Sequence, residues 1–393
     1  MSRIVQKFGG TSVATLERIK NVAEIIASYR QKKHDLIAVV SAMAGVTNKF
    51  ISYMNSLGVH EGDSEYDSVV SSGELVTSGL LAVALKNIGL KAKSYASWQV
   101  PIFTNNAYGN AVIQNVDSTS LKMDIFAGII PVISGFQGVS SENRITTLGR
   151  GGSDLTAVAV ASAVEADLCE IYSDVDGVYT VDPNLYPEAK KIDHINYREM
   201  LEMAYQGAKI LQAQSVDYAM NRNVVVRVAS SFIDNGGTVI SKDTSSKLVC
   251  GLAATHNLAL LKVSYGHEND LSGIMRLLEE NFIGAEIFQR HDSLKTSVIM
   301  DKKKIMTAMH VLKSCDLVSS FKQEMIRRHF SLLNVVGVLI SEKKRDELSQ
   351  LLRSKRIEIF GCYHTDHRIG FVISADQLLN AVAILHKYCG LDQ

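Results

Sequence analysis

Short, continuous apolar runs alternate along this chain with stretches whose apolar residues recur three to four positions apart, and the alternation holds for roughly the first 240 residues. Ile4–Phe8, Leu36–Val40, Gly128–Ser134, Cys169–Ser173 and Val224–Val228 read as strands buried on both sides. After the first of them, Leu16, Ile19, Ala23 and Ile26 share one helical face, with Thr11 or Ser12 placed to cap the helix. Leu155–Val164 is an alanine-rich helical stretch. Buried strands separated by helices predict an α/β domain, a mostly parallel sheet covered by helices on both faces. In such sheets ligands sit in loops at the carboxyl ends of the strands.

The rhythm changes after two polar, glycine-rich pieces, Asp234–Gly237 and Ser241–Lys247. Leu258–Val263 reads as a strand, Leu271–Asn281 as a helix, Ala285–Phe288 and Thr296–Met300 as strands, and Ile305–Leu312 as a helix. The order then recurs: strand Leu333–Ile340, helix Arg345–Leu352, strands Ile357–Phe360 and Ile369–Ile373, helix Gln377–Tyr388. This predicts a domain over 1–243 followed, over 250–393, by two successive α+β modules of β-α-β-β-α order.

Forty-one basic and 41 acidic residues cancel, so no whole-chain field attracts nucleic acid or an anionic membrane. Any bound anion must be held by local geometry. No apolar run is counted at the roughly 18–20 residues that span a bilayer. The N-terminus enters a strand pattern without a signal-peptide profile. Five scattered cysteines, none in a Cys-x-x-Cys pattern, suit ordinary thiols in a reducing cytoplasm.

Five segments carry candidate chemistry. Lys7-Phe8-Gly9-Gly10-Thr11-Ser12 ends a strand with a lysine, two glycines and hydroxyls. Paired glycines expose backbone N–H groups to an anion, a helix start adds partial positive charge, and Lys7 adds a full one. No Walker A loop and no dinucleotide fingerprint occurs. Thr146–Asp154 sets Arg150 among Gly149, Gly151 and Gly152 before Ser153-Asp154. The arginine suits bidentate recognition of a carboxylate or phosphate, while Asp154 has the plainer option of capping the next helix. Ser173–Pro183 leaves a strand with Asp174, Asp176 and Asp182 beside Tyr179, a set for magnesium-bound phosphates or a nucleotide, or a plain turn-rich loop. Ser41–Asn48 suits a loop lining a pocket, and Ser72-Gly73-Glu74 opens a helix with Glu74 in its first turn.

Across residues 3–240 these segments resemble the aspartokinases of the amino-acid kinase family, most closely in Lys-Phe-Gly-Gly-Thr-Ser-Val-Ala, Thr-Thr-Leu-Gly-Arg-Gly-Gly-Ser-Asp and Asp-Val-Asp-Gly-Val-Tyr-Thr. The resemblance implies transfer of the ATP γ-phosphoryl group to the side-chain carboxylate of L-aspartate, the first step toward lysine, threonine, methionine and diaminopimelate. Lys7 and Asp154 would be catalytic; Ser41, Thr47, Glu74, Arg150, Gly151 and Ser153 would bind aspartate, Arg150 taking a carboxylate and Glu74 the ammonium. Lys7, Phe8, Gly9, Gly10, Ser173, Asp174, Tyr179, Asp182 and Lys209 would hold ATP, with magnesium accompanying the nucleotide and no metal ligand assigned in the chain. The C-terminal half would be a tandem pair of ACT modules joining a homodimer in the cytoplasm. A carboxylate acceptor is ionised at pH 7 and needs no general base, which suits five segments that contain no histidine.

The chain departs from the family after Asp182-Pro183, where Asn184 replaces the usual arginine, and at Leu211–Ser215, where a basic His-Pro-Arg-Ser-like stretch is usual. The loops taken to join the first strand and helix of each module, Gly266–Asp270 and Ser341–Arg345, lack Pro-Gly, which weakens the case for a lysine or threonine effector. Two other readings are compatible: a catalytically weakened, ligand-binding regulator on the kinase scaffold, and a kinase for another small carboxylate.

Overall fold

The computed structural model describes residues 2–207, 210–233, 235–243, 248–281, 283–315, 318–322 and 330–392. They form two compact units: Met1–Val178 with Lys191–Ala204 and Lys209–Thr244, and Tyr179–Lys190 with Tyr205–Ala208 and Ser245–Gln393.

The first unit opens with β1 (Arg3–Phe8), α1 (Leu16–Gln31), β2 (Asp35–Val40), α2 (Val46–Ser56), α3 (Ser64–Val70) and α4 (Ser72–Asn87). It continues through β3 (Ala92–Tyr95), β4 (Ile102–Thr104), β5 (Ile113–Val116), α5 (Thr119–Phe126), β6 (Ile130–Ser134), β7 (Gln137–Val139), β8 (Ile145–Thr147) and α6 (Gly152–Ala163). After β9 (Leu168–Ser173) come the short β10 (Val178–Tyr179), β11 (Lys191–Ile192) and β12 (His194–Asn196), then α7 (Tyr197–Tyr205), α8 (Ala213–Arg222), β13 (Val226–Ser230) and β14 (Thr238–Ser241).

Eight of these strands make one sheet in the order β12-β14-β13-β9-β1-β2-β6-β3, in which only the β13–β14 pairing is antiparallel. β1 lies inside the sheet, with β2 on one flank and β9 on the other, so the strand order reverses there and a crevice opens at its carboxyl end. Side chains alternate along β1. Ile4 and Phe8 join the apolar core under α1 and α4, which leaves Lys7 on the face covered by α6.

Helix α1 buries Ile19, Val22, Ala23 and Ile26, as its spacing predicts. Its cap differs from the expectation: Thr15, not Thr11 or Ser12, accepts the Arg18 amide, and Leu16 is exposed. The glycine turn uses Gly9 to Ser12 before the helix can start, with the Ser12 amide donating to the Gly9 carbonyl. Every residue of α6 from Gly152 to Ala161 is buried, because the helix lies between β1 and α8. Only small side chains fit that position, which accounts for its alanines.

Ser64–Asn87 spans 24 residues that pass as long and apolar enough to cross a bilayer by length and composition alone, interrupted by Glu65, Asp67, Glu74 and Lys86. Here they form α3 and α4, abutting at Ser71, and α4 packs on β3 and α1 with Thr77, Ser78, Leu81 and Leu85 buried.

In the second unit β15 (Val249–Tyr265), α9 (Asp270–Glu280), β16 (Ala285–Asp292), β17 (Lys295–Asp301), α10 (Ile305–Lys313) and β18 (Val318–Lys322) precede β19 (Phe330–Gly337), α11 (Glu342–Ser354), β20 (Ile359–Thr365), β21 (Arg368–Ser374) and α12 (Leu378–Tyr388). The β-α-β-β-α repeat is present, and both copies share one antiparallel sheet. β15 joins them: its first half pairs with β19 and its second with β17 and β18. The apolar run Leu258–Val263 marks only the second part of this strand. Asn257 takes a positive φ of 58°, but the strand passes through it as an irregularity in the pairing. Ser341–Arg345 is likewise no loop: Ser341 caps α11, and the other four residues are its first turns.

Candidate active site

A cavity of about 480 Å³ opens at the carboxyl end of β1 within the first unit. Lys7 reaches it from β1, Gly10 from the turn that follows, Ser41 from the loop after β2, Thr47 from the start of α2, and Glu74 from the start of α4. Arg150, Gly151, Ser153 and Asp154 come from the loop after β8 and the first turn of α6. Residues far apart in the chain meet because each follows a strand or opens a helix at one edge of the fold.

Lys7 and Asp154 form a nearly buried ion pair, Nζ to Oδ1 at 2.6 Å. Asp154 therefore does not cap α6; Gly151 holds that position with a φ of 75°. The pair anchors the lysine end of the cavity, and the amino termini of α2 and α6 add positive potential to it. Gly10 is needed for close approach, since a Cβ there would lie 3.0 Å from the Ala42 carbonyl oxygen. Gly151 is doubly constrained: besides its left-handed φ, a Cβ would fall 2.1 Å from Cγ of Gln212. The altered Leu211–Ser215 stretch thus packs over the Arg150 loop, with Gln212 at the cap of α8.

Glu74 is 3% exposed, and its Oε2 has no hydrogen-bond partner among the described residues. Burial pushes its pKa up to about 7, against the lowering effect of backbone N–H groups of Ala42 and Glu74 itself. A buried acceptor aimed into a cavity is a ready partner for a ligand cation. Arg150 is exposed and has no ion-pair partner among the described residues, so its guanidinium is available to an anion.

Beneath the cavity, Asp67 does what sequence reasoning missed. It is wholly buried and accepts from the amides of Gly109 (2.9 Å) and Thr147 (2.7 Å) and from the Thr147 hydroxyl (2.9 Å). It ties the wall of the cavity to the strand before Arg150. Burial raises its pKa, opposed by those three hydrogen bonds. Nothing local in Ser-Glu-Tyr-Asp-Ser marks it, because its partners lie 42 and 80 residues away. Asn48, from the segment expected to line a pocket, does line the cavity, as do Tyr66 and Glu61, which were not anticipated.

The nucleotide set is only partly gathered here. The Phe8 ring is 0% exposed and stacks on Tyr172 at 5.0 Å, which leaves its backbone as the part that could meet a ligand. The Gly9 amide donates to the Tyr172 carbonyl at 3.1 Å, holding the glycine turn against β9. Ser173 ends β9 and Asp174 follows it; the Ser173 hydroxyl accepts the Val175 amide, and neither residue lines the cavity. Tyr179 and Asp182 are in the second unit. Asn184 donates twice to Asp182 Oδ1, at 2.8 and 3.0 Å, making a tight turn where an arginine was expected. Lys209 lies outside the described residues.

The family model described as the amino acid kinase family matches residues 2–230. This chain belongs to the amino acid kinase family. Within that family its relatives include the aspartokinases of Rickettsia bellii (43% identical over 270 residues), Rickettsia prowazekii (48% over 249) and Pseudomonas aeruginosa (46% over 268). The matched stretches cover 67%, 62% and 67% of this chain but 66%, 56% and 65% of those relatives, less than two thirds of their length. Among solved structures, E. coli aspartokinase III in complex with aspartate and ADP has the same fold, at a TM-score of 0.79 and 23% identity over 98% of this chain and 99% of that one. An aspartate kinase from Synechocystis aligns at 29% identity and a TM-score of 0.56, over 98% of this chain and 69% of its own.

Proposed function

We propose that this amino acid kinase transfers the γ-phosphoryl group of ATP to the β-carboxylate of L-aspartate. The observation that carries the reading is the cavity's polarity: an unpartnered buried carboxylate at Glu74, a free guanidinium at Arg150, and the Lys7–Asp154 pair. An amino acid with a second carboxylate complements that set. Glu74 takes the ammonium, Arg150 a carboxylate, and Ser41, Thr47, Gly151 and Ser153 supply hydroxyl and amide contacts. Lys7, oriented by Asp154, and the amides of Gly9 and Gly10 neutralise the phosphoryl oxygens.

In the reaction a carboxylate oxygen of aspartate forms a bond to the γ-phosphorus as the bond to the β,γ-bridging oxygen breaks, giving an acyl phosphate and ADP. The nucleophile is already an anion, so no proton is removed and no base is required. No histidine lines the cavity among the described residues, as that chemistry allows. Ser173, Asp174, Tyr179, Asp182 and Lys209 are assigned to the nucleotide. Magnesium bound to the phosphates would offset their charge.

Residues 1–243 are read as the kinase half and 250–393 as ACT-like modules that join two copies, in an enzyme of the cytoplasm; the five free cysteines support that location. The intact Lys7–Asp154 pair argues against a weakened regulator.

Purified protein with ATP, magnesium and hydroxylamine decides the matter: aspartyl hydroxamate is expected with aspartate. Turnover with glutamate or another acid and none with aspartate overturns the substrate; no turnover with any of them restores the regulator.

A further inference from the structure

The glycine turn, residues 9–12, sets Gly10 on the cavity beside Lys7, and segments of the first unit that are remote in sequence hold it there. The Gly9 amide donates to the Tyr172 carbonyl on β9, and the Ala44 amide, in the loop after β2, donates to the Gly10 carbonyl at 3.2 Å. Both contacts join backbone to backbone and depend on no particular side chain. The far end of the turn is held differently. Ser12 is 1% exposed, and the one hydrogen bond of its hydroxyl among the described residues runs to the Ser231 hydroxyl, Oγ to Oγ at 2.7 Å. Ser231 directly follows β13, 219 positions along the chain.

Ser231 sits on a fixed segment. Its amide donates to the Ser173 carbonyl at 3.3 Å, at the end of the parallel pairing between β13 and β9. The Ser230 hydroxyl accepts the Phe232 amide at 3.1 Å, and the Arg18 guanidinium lies over the Phe232 ring, 4.2 Å from its centroid. Arg18 is in the first turn of α1, the helix into which the glycine turn leads. Residues 230–232 therefore anchor Ser12 to β9 and α1 through a single pair of hydroxyls. The Ser12 amide in turn donates to the Gly9 carbonyl at 2.9 Å, so whatever holds Ser12 also holds the turn closed. A buried hydroxyl without a partner destabilises a fold, and packing alone favours alanine at position 12. Neither serine lines the cavity, whereas Lys7 and Gly10 do.

We propose that Ser231 is a positioning residue for phosphoryl transfer: its hydroxyl, by holding Ser12, keeps the glycine turn closed and so fixes Lys7 and the Gly10 amide against the phosphoryl group. The inference rests on the reading of that turn as the phosphate end of the cavity. Glu74 and Arg150, assigned to aspartate, come from other elements, so the contact acts on the ATP side of the site and spares the acceptor side.

The test uses the full chain at a temperature where every variant is folded, with ATP binding in the presence of magnesium measured by calorimetry and turnover of ATP and aspartate by steady-state kinetics. Ser231→Ala should lower kcat/KM for ATP about 3- to 10-fold, the effect of one neutral hydrogen bond, and leave KM for aspartate unchanged. Ser231→Thr, which keeps the hydroxyl, should restore most of the loss. Ser12→Ala should reproduce it, and carries the test should Ser231→Ala not fold. The double alanine variant should be no slower than either single one, because both remove the same bond. A lower melting temperature with unchanged kcat/KM for ATP marks a purely structural bond and overturns the proposal. Equal losses toward ATP and aspartate, a threonine variant as slow as alanine, or additive losses in the double variant overturn it too. A wild-type chain that binds ATP but phosphorylates no acid sinks the proposed function alone; the positioning role then stands or falls on whether Ser231→Ala weakens ATP binding by that same factor. A wild-type chain that binds no ATP overturns the phosphate reading, and this inference with it.

Discussion

Replacing Glu74 by glutamine removes one charge and almost no volume from the cavity. The wild-type carboxyl is 3% exposed and titrates near 7 instead of the ordinary 4.5, because burial strips its water faster than two backbone N–H groups replace it. The folded state therefore holds the proton more tightly than the unfolded chain. The stability this confers is fully present below pH 4.5 and is lost as pH rises through 7, about 3 kcal/mol in all. Glu74→Gln should melt close to wild type at pH 5 and clearly above it at pH 8, by several degrees. Function should move the opposite way. An ammonium ligand binds the ionised carboxylate, so the Michaelis constant of the wild type for aspartate should fall as pH rises toward 8. The glutamine variant loses a charge-assisted bond of about 1.5–3 kcal/mol, or roughly 10- to 150-fold in that constant, and its pH dependence near 7 disappears. Thermal melting and hydroxamate assays across pH 5–8.5 measure both effects. An unchanged aspartate constant, or a variant no more stable than wild type at pH 8, refutes the reasoning.

Lys7→Met should lower kcat about 10²- to 10³-fold, as loss of a preorganised phosphoryl contact does. It should also destabilise the fold by about 3–5 kcal/mol, because Asp154 is left buried without its partner; adding Asp154→Asn should recover stability and no activity, as read by denaturant melts and kcat. Gly151→Ala should lose about 1–2 kcal/mol through its left-handed φ and its clash with Gln212, and Gln212→Ala in the same chain should return only the part due to the Gln212 Cγ, since its Cβ still lies 2.7 Å away. Asp67→Asn should cost about 1–3 kcal/mol, since an amide cannot accept all three bonds, and should raise the aspartate constant while sparing that for ATP.

Much of the site was legible before any coordinates. Lys7-Phe8-Gly9-Gly10 announces an anion site because strand, glycines and turn are consecutive residues. The alternation of buried strands and one-sided helices predicts the parallel sheet because burial on both faces imposes continuous apolar runs. The edge strand β3 and the penultimate strand β14 escaped notice, since Ala-Lys-Ser-Tyr and Thr-Val-Ile-Ser lack such runs.

What the sequence determined by itself is local: the phosphate turn, the Arg150 loop, the core faces of the helices, and the repeated β-α-β-β-α order. Only the tertiary structure decided that Asp154 pairs with Lys7 rather than capping α6, and that Glu74 is buried with an oxygen left open. It also decided that Tyr179–Lys190 packs with the C-terminal unit although it sits inside the kinase stretch of the chain. Pattern and propensity act over a few residues. Desolvation, ion pairing and core membership depend on which distant segments fold against them.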